Sequence, residues 1–195
     1  MVATALKANT SLTVLNVERN GLGWKGGKAL GEALATNSSL TCLDLSLNDI
    51  GPEGGLAFGL ALKTNTRLTD LVMVRCGLGP DGGRALGEAL ECTASLTRLD
   101  VTQNDLGASG GISIGRALAT NTSLTSLNYS KNRIGFGMER SIGVFARALA
   151  ANTSLRWLDM GQNELGALGG GAFAQVLKVC LQASPDGRST EHTLP

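Results

Sequence analysis

Six copies of one segment follow each other along the chain, and this repetition constrains the fold more than any other feature. Four consecutive units have 28 residues each and begin at Ser11, Ser39, Arg67 and Ser95. A fifth unit, 123–153, has 31 residues, and a sixth begins at Ser154. A unit of this length cannot bury its apolar face alone, so the sequence predicts a stack in which each unit packs on its neighbours.

Each unit has two halves that differ in the spacing of their apolar residues. Leucines of the front half, such as Leu40 and Leu43, suit a short strand, whereas the spacing of the back half suits an amphipathic helix. Pro52 stands where a helix should begin, and Glu53 after it favours the positive end of the helix dipole. The sequence therefore predicts strands that alternate with helices.

Glycine and asparagine recur at fixed places in the helical half. Glycine pairs such as Gly54–Gly55 cost about 1 kcal/mol per residue relative to alanine. We therefore expect that a larger side chain does not fit between the helix and the strand layer. We also expect left-handed asparagines at the helix exits, namely Asn9, Asn37, Asn65, Asn121 and Asn152.

One motif, L-x-x-L-x-L-x-x-N/C-x-L, runs through all six units. In the second unit it is formed by Leu40, Leu43, Leu45, Asn48 and Ile50. This pattern resembles the leucine-rich repeat family, and the repeat length resembles its ribonuclease-inhibitor-like class. The resemblance implies an α/β solenoid, a curved horseshoe with a parallel β-sheet on its concave face and α-helices on its convex face.

The repeats also define the expected domain. We expect one leucine-rich repeat domain over residues 1–183, beginning with a partial repeat at 1–10 and followed by a disordered tail at 184–195. The partial first repeat favours a piece of a longer array over an array without a cap. Full repeats are predicted at 11–38, 39–66, 67–94, 95–122, 123–153 and 154–183.

The asparagine that follows each predicted strand has a physical explanation. The chain turns inward there and leaves backbone groups without sheet partners, and a side-chain amide can both donate hydrogen bonds to them and accept hydrogen bonds from them. A thiol does so only weakly. We expect a structural ladder along the stack, formed by Asn20, Asn48, Cys76, Asn104, Asn132 and Asn163.

Composition argues against several classes of function. Seventeen Lys plus Arg against sixteen Asp plus Glu leave a net charge of +1, which gives no general attraction to nucleic acid or membranes. The single histidine, His192, excludes sites built from paired histidines. No apolar stretch is long enough to span a membrane and no secretion signal is visible, so we expect a cytoplasmic location with reduced thiols.

Two patterns that resemble catalytic or cofactor sites have simpler explanations. G-x-G-x-x-G occurs at 21–26 and 77–82, but its later glycines recur in units whose first position is acidic, so they belong to the turn of the repeat. No nucleophile or proton donor recurs beside the aligned carboxylates of Asp44, Asp100 and Asp159. We therefore expect no cofactor, no metal and no enzymatic activity.

Exposed strand positions and one loop are the candidate binding residues. Apolar residues near the third strand would form a patch with arginines beside it, which resembles an interface anchor. A tryptophan stands towards the far end, and the insertion of the fifth unit places apolar residues in a loop. The candidates are Leu47, Val72, Val74, Arg75, Arg98, Trp157, Phe136 and Met138. The alternatives are that the valines merely suit a strand, that Trp157 covers an end, and that the loop folds back on its own helix.

These features favour a non-catalytic scaffold that binds a protein partner through the concave face and the adjacent loops. One alternative is a regulator of a small GTPase, because Ran GTPase-activating proteins resemble this repeat class and use an arginine on the loops after the strands. Arg133 is the candidate for that role. Another alternative, a fragment of a nucleotide-binding leucine-rich repeat receptor, is compatible with the scaffold interpretation.

Overall fold

Short strands and longer helices alternate along the chain, as predicted. A computed structural model describes residues 2–135, 139–167 and 169–174. The described residues at 166–167 and 169–174 are helical. The preceding elements are α1 (Val2–Ala8), β1 (Val14–Asn16), α2 (Gly23–Leu34), β2 (Cys42–Asp44), α3 (Gly51–Leu62), β3 (Asp70–Val72), α4 (Gly79–Leu90), β4 (Arg98–Asp100), α5 (Gly107–Leu118), β5 (Ser126–Asn128), α6 (Glu139–Ala151) and β6 (Trp157–Asp159).

The six strands form one open, parallel sheet in chain order. Each strand pairs with the equivalent residues of the next repeat, so Leu15 aligns with Leu43 and Leu43 with Leu71. The helices connect successive strands and cover one face of the sheet. This architecture confirms the predicted leucine-rich repeat solenoid, with the free face of the sheet on its concave side and the helices on its convex side.

The core lies between the sheet and the helices. The central leucines of the inner strands, Leu43, Leu71, Leu99 and Leu127, are fully buried. The fifth repeat contributes two buried aromatic side chains to the core, Tyr129 and Phe145, whose ring centroids lie 5.7 Å apart. Within the described residues the Tyr129 hydroxyl has no hydrogen-bond partner, and burial raises its pKa.

Several helical glycines face a neighbouring helix, so the expectation that they make room for the strand layer was wrong for these positions. A Cβ atom at Gly55 would lie 2.7 Å from the Cα of Gly82, and one at Gly59 would lie 2.8 Å from the Ala85 carbonyl oxygen. Gly27 and Gly54 instead approach the side chain of Ile50 in the loop that follows β2. The glycines therefore form a seam along which adjacent helices touch backbone to backbone.

The asparagines at the helix exits are not left-handed, which corrects the second expectation. Asn37 instead bridges two repeats, because its Nδ2 donates to the Leu6 and Asn9 carbonyls while its Oδ1 accepts the N–H groups of Ser39 and Leu40. The left-handed residues lie in the loops after the strands. The non-glycine ones are Arg19, Leu47, Asp49, Arg75, Gln103, Asp105, Lys131, Arg133, Gln162 and Glu164.

Some predictions fall on residues that the structure does not describe. The candidate loop residues Phe136 and Met138 and the tail 184–195 lie outside the described residues. Within the described ranges, no helix is long and apolar enough to cross a membrane.

Candidate functional site

The free face of the sheet presents two rows of outward side chains on either side of the buried central leucines. Each row runs across all six strands because the strands pair in register. The first row consists of Val14, Cys42, Asp70, Arg98, Ser126 and Trp157. The second row consists of Asn16, Asp44, Val72, Asp100, Asn128 and Asp159.

The second row is polar because its side chains cap the turn that follows each strand. Asp44 Oδ1 accepts the Ser46 N–H at 2.9 Å. Asp100 Oδ1 likewise accepts both the N–H and the hydroxyl of Thr102, at 3.0 and 2.7 Å. Such Asx turns satisfy backbone groups where the strand ends. These carboxylates therefore have a structural role. Sequence reasoning missed this role, although the pattern that indicates it is visible in the sequence: an Asp or Asn with a Ser or Thr two residues later.

The third repeat interrupts this polar row. Val72 replaces the capping Asp or Asn, and Val74 replaces the Ser or Thr two residues later. The Leu47 N–H donates to the Val74 carbonyl at 2.8 Å, so the loop after β2 brings Leu47 next to the valines. All three side chains are half-buried. We call Leu47, Val72 and Val74 the concave patch.

Charged side chains border the concave patch. Arg75 and Arg98 are both exposed, and Arg75 lies in the left-handed region with φ of 52°. Asp70, which aligns with Arg98 across the sheet, accepts the Thr69 hydroxyl at 2.7 Å. Burial, reinforced by Asp70, raises the pKa of the nearby Cys42 thiol, which keeps it protonated. The border thus carries charges of both signs, because Asp44 and Asp100 flank Val72 on the adjacent strands.

Trp157 belongs to a separate part of the concave face. It lies in β6 and is 47% exposed. Three strand spacings separate it from β3, which corresponds to about 14 Å at the usual spacing of neighbouring strands. The candidate residues that the structure describes therefore lie in two separate groups on the concave face.

The asparagines after the strands hydrogen-bond across the repeats. Asn48 Nδ2 donates to the Val17 and Leu45 carbonyls at 2.8 Å each, and its Oδ1 accepts the Asn20 N–H at 2.9 Å. Asn104, Asn132 and Asn163 make the corresponding bonds. Cys76 donates its thiol to the Leu45 carbonyl, with 3.2 Å between Sγ and oxygen, but its side chain has no carbonyl oxygen with which to accept.

Arg133, the candidate for a GTPase regulator, makes ion pairs with neighbouring repeats. Its guanidinium lies 3.2 Å from the Asp105 carboxylate and 3.7 Å from that of Glu164. The side chain is about half exposed. This geometry links three successive loops.

An apolar groove on the convex face was not anticipated from the sequence. Trp24, Leu56 and Leu60 are 50%, 39% and 67% exposed, and they border a groove of about 660 Å³ between α2 and α3. The signal is visible when the units are aligned. Leu56 and Leu60 occupy the helix positions that carry Lys28 and Glu32 in α2.

In the described part of the chain, no group of three or more His, Cys, Asp or Glu side chains is placed to hold a metal ion.

A model of the leucine-rich repeat family matches residues 8–31, 36–59, 64–87, 94–115 and 151–174, which together cover more than half of the chain. The protein belongs to the leucine-rich repeat family. The matched segments follow the repeats that the structure shows, each spanning a strand and most or all of the helix after it.

Two solved leucine-rich repeat structures share the fold at low sequence identity. The C-terminal domain of a Caenorhabditis elegans tropomodulin is 15% identical with a TM-score of 0.57, over 92% of this chain and 91% of that one. The leiomodin-1 actin-binding site 2 is 19% identical with a TM-score of 0.53, over 92% and 90%. No curated protein sequence is significantly similar to the chain.

Proposed function

We propose that this leucine-rich repeat domain is a non-catalytic scaffold that binds a protein through its concave face, at the concave patch. The observation that carries the proposal is the interruption of the Asx-turn row. Val72 and Val74 replace two hydrogen-bonding residues that the neighbouring repeats use to stabilise the same turn. The Val74 N–H donates instead to Ser46 Oγ of the preceding repeat, at a longer 3.3 Å. Such a replacement of the local cap is understandable where the apolar side chains serve contacts with another molecule.

The border of the concave patch indicates what kind of surface it fits. Apolar side chains at the centre suit an aliphatic or aromatic anchor of the partner, and exposed Arg75 and Arg98 suit carboxylates around that anchor. Arginine provides several donors in a fixed geometry, which favours recognition of carboxylates. We therefore infer a partner that presents an apolar side chain, with carboxylates placed to reach Arg75 and Arg98 and away from Asp44 and Asp100.

The described residues support a binding role more than a catalytic one. The aligned carboxylates of Asp44 and Asp100 are engaged by backbone N–H groups. The pKa of the Cys76 thiol is raised to about 12 by burial, and that of Cys42 is also raised, so neither thiol provides a nucleophilic thiolate at neutral pH. The proposal therefore assigns no reaction to the domain.

Actin is a specific candidate partner for testing, because the leiomodin-1 structure with the same fold is an actin-binding site. The likeness concerns the fold, so the proposal rests on the concave patch and not on actin. Sedimentation of the domain with actin filaments, and gel filtration with monomeric actin, test this candidate directly.

The alternative of a small-GTPase regulator depends on Arg133. To contact a nucleotide phosphate, its guanidinium would have to leave the carboxylates of Asp105 and Glu164. We favour a role for Arg133 in linking the loops of three repeats. The scaffold proposal holds equally if the domain belongs to a longer array or to a larger receptor.

The double substitution Val72→Asn/Val74→Ser tests the concave patch with little risk to the fold. It introduces residues that β5 and its loop already carry, Asn128 and Ser130, so the turn hydrogen bonds should form without a third carboxylate beside Asp44 and Asp100. We expect proteins captured from a lysate of the source cell by the native domain to be depleted about tenfold with the variant. Quantitative mass spectrometry measures the depletion.

Gln103→Ala is the matched control, since Gln103 is exposed in the neighbouring loop and lies outside the concave patch. We expect it to leave the captured set unchanged. A set that is the same for the native domain and the double variant would overturn the concave patch as the binding surface.

A further inference from the structure

The convex groove between α2 and α3 departs from the surface chemistry of its neighbours. In α2 the exposed pair four residues apart is Lys28 and Glu32, and in α4 it is Arg84 and Glu88, whose side chains form an ion pair at 2.9 Å. In α3 the equivalent positions are Leu56 and Leu60. An oppositely charged pair at this spacing stabilises an exposed helix, whereas two exposed leucines do not. The apolar pair therefore points to a contact on this face.

The groove has a floor of small residues between larger side chains that project from both helices. Its floor consists of small residues, because Gly31 of α2 touches the backbone at Ala57 of α3. Trp24 rises on one side, and Leu56 and Leu60 rise on the other. The large side chains of both helices can therefore contact a facing pair of helices.

On each side of the groove, the outward residues of one helix complement those of an identical helix that runs in the opposite direction. On α2 the outward stripe begins with Trp24, Lys28 and Glu32 and ends at the small residue Ala35. Reversed, this stripe places Lys28 opposite Glu32, Glu32 opposite Lys28, and Trp24 close to Ala35. Both charges and volumes are therefore matched in an antiparallel pairing of α2 with itself.

The outward stripe on α3 is also complementary to an identical antiparallel stripe, and the centre of that pairing lies at the same level of the helix as the centre for α2. It consists of Glu53, Leu56, Leu60 and Lys63, which are spaced three or four residues apart and so share one face. Reversal places Glu53 opposite Lys63 and Leu56 opposite Leu60. The centre of reversal is residue 58, which is the repeat equivalent of residue 30, the centre for α2.

We propose that the convex groove is the contact between two copies of this chain, related by a two-fold axis that crosses α2 and α3 at residues 30 and 58. Each α2 then packs antiparallel on the α2 of the other copy, and each α3 on the other α3. Four leucines form the centre of the interface, and Lys28–Glu32 and Glu53–Lys63 pairs between copies surround them. This inference is independent of the concave patch, which stays accessible on the opposite side of each copy.

A second copy fits these observations because a single axis satisfies both stripes. Lys63 already lies 3.4 Å from Glu88 of its own chain, so in the dimer it bridges Glu88 and the Glu53 of the other copy. The two helices have 12 residues each, or about 18 Å of length. An interface of this size lies at the small end for stable complexes, so we expect a reversible dimer.

Sedimentation velocity of the full chain over about a hundredfold range of concentration measures this equilibrium. We expect the native chain to shift from monomer to dimer as the concentration rises. Leu60→Glu should weaken the association at least about tenfold, because it buries a charge opposite Leu56 of the other copy. The fold should survive, since α2 and α4 carry glutamate at this position; circular dichroism checks that.

A charge exchange tests the two-fold axis itself. Lys28→Glu and Glu32→Lys should each weaken the dimer, because each places like charges opposite one another, and the double variant Lys28→Glu/Glu32→Lys should restore it. Arg116→Glu, at the position of Leu60 in α5, is the matched control and should leave the dimer unchanged. A chain that stays monomeric at every concentration would overturn the proposal. A dimer that persists with Leu60→Glu, or one that the double exchange does not restore, would do the same.

Discussion

Cys76 occupies a position where the chemistry of one side chain affects two repeats. Its thiol reaches the Leu45 carbonyl, the contact that an asparagine amide would make from the same place. Asn48, one repeat earlier, also uses its Oδ1 to accept the N–H groups of Asn20 and Leu22. A thiol offers no such oxygen to the equivalent N–H groups of Asn48 and Ile50. The ladder is therefore weakest between the second and third repeats.

Cys76→Asn should stabilise the protein. The new Oδ1 can accept two buried N–H groups, and a hydrogen bond of this kind contributes about 1 kcal/mol. Urea unfolding at neutral pH measures the change in the free energy of unfolding. Asn104→Cys is the reverse control and should destabilise by about 1–3 kcal/mol, because it leaves buried donors unsatisfied. A loss of stability in Cys76→Asn would contradict the ladder as described.

The same variant should change the response of stability to alkaline pH. Burial raises the pKa of the Cys76 thiol from 9.0 to about 12, so between these values the unfolded thiol ionises while the folded one stays protonated. The contribution is complete below pH 9 and is lost as the pH rises towards 12, by up to about 1.4 kcal/mol per pH unit. The native chain should lose stability more steeply than Cys76→Asn in this range.

At the scale of the helices, the glycine seam opposes helix propensity. Alanine is preferred to glycine in a helix by about 1 kcal/mol, yet a Cβ atom at Gly59 would lie 2.8 Å from the Ala85 carbonyl oxygen. The neighbour is backbone and cannot move aside without shifting a whole helix. At Gly59 the close contact that an alanine would make therefore outweighs its higher helix propensity.

Gly59→Ala should accordingly destabilise the protein by about 1–3 kcal/mol, the usual effect of overpacking. The control is Gly143→Ala in α6, where the nearest atom to a new Cβ is the end of the Arg147 side chain at 3.6 Å. That substitution should stabilise by about 0.5–1 kcal/mol. Thermal unfolding of the two variants measures both effects, and equal shifts of the same sign would contradict the seam.

The elements were predictable from the sequence, whereas the contacts between them were only partly so. The 28-residue period placed β2 and α3 because each repeat carries its own apolar spacing, and the parallel register follows from identical units. The glycine pairs indicated a close approach but not its partner. Gly55 meets Gly82 of the next helix, and a pattern within one repeat does not say which neighbour it touches.

At the scale of the whole molecule, stability depends on the neighbours of each repeat. Leu71 is fully buried between two repeats, whereas Leu15 at the same position of β1 is only half-buried. Leu71→Ala should therefore destabilise by about 2–5 kcal/mol, the range for buried leucines, and Leu15→Ala by clearly less. Chemical unfolding of both variants checks the gradient; equal losses would show that the end repeat is packed as well as the centre.

The two candidate binding surfaces, the concave patch and the convex groove, were also only partly predictable from the sequence. The positions of Val72 and Val74 on the concave face follow from the strand pattern. Their significance depends on the Asx turns of the other repeats, which are a property of three-dimensional geometry. Leu56 and Leu60 look like core residues within their own repeat, and alignment with the charged positions of α2 or the orientation of α3 is needed to show that they face outward.

The glycine seam also determines how tightly the array bends. The radius of curvature of a solenoid depends on the difference between the spacing of its strands, about 4.8 Å, and the spacing of its helices, about 8–10 Å. Because Gly55 and Gly82 let adjacent helices meet without side chains between them, the outer spacing is as small as helices permit. The arc is consequently wider than one with leucines between its helices. A wide arc suits a partner with a broad, gently rounded surface better than a narrow peptide.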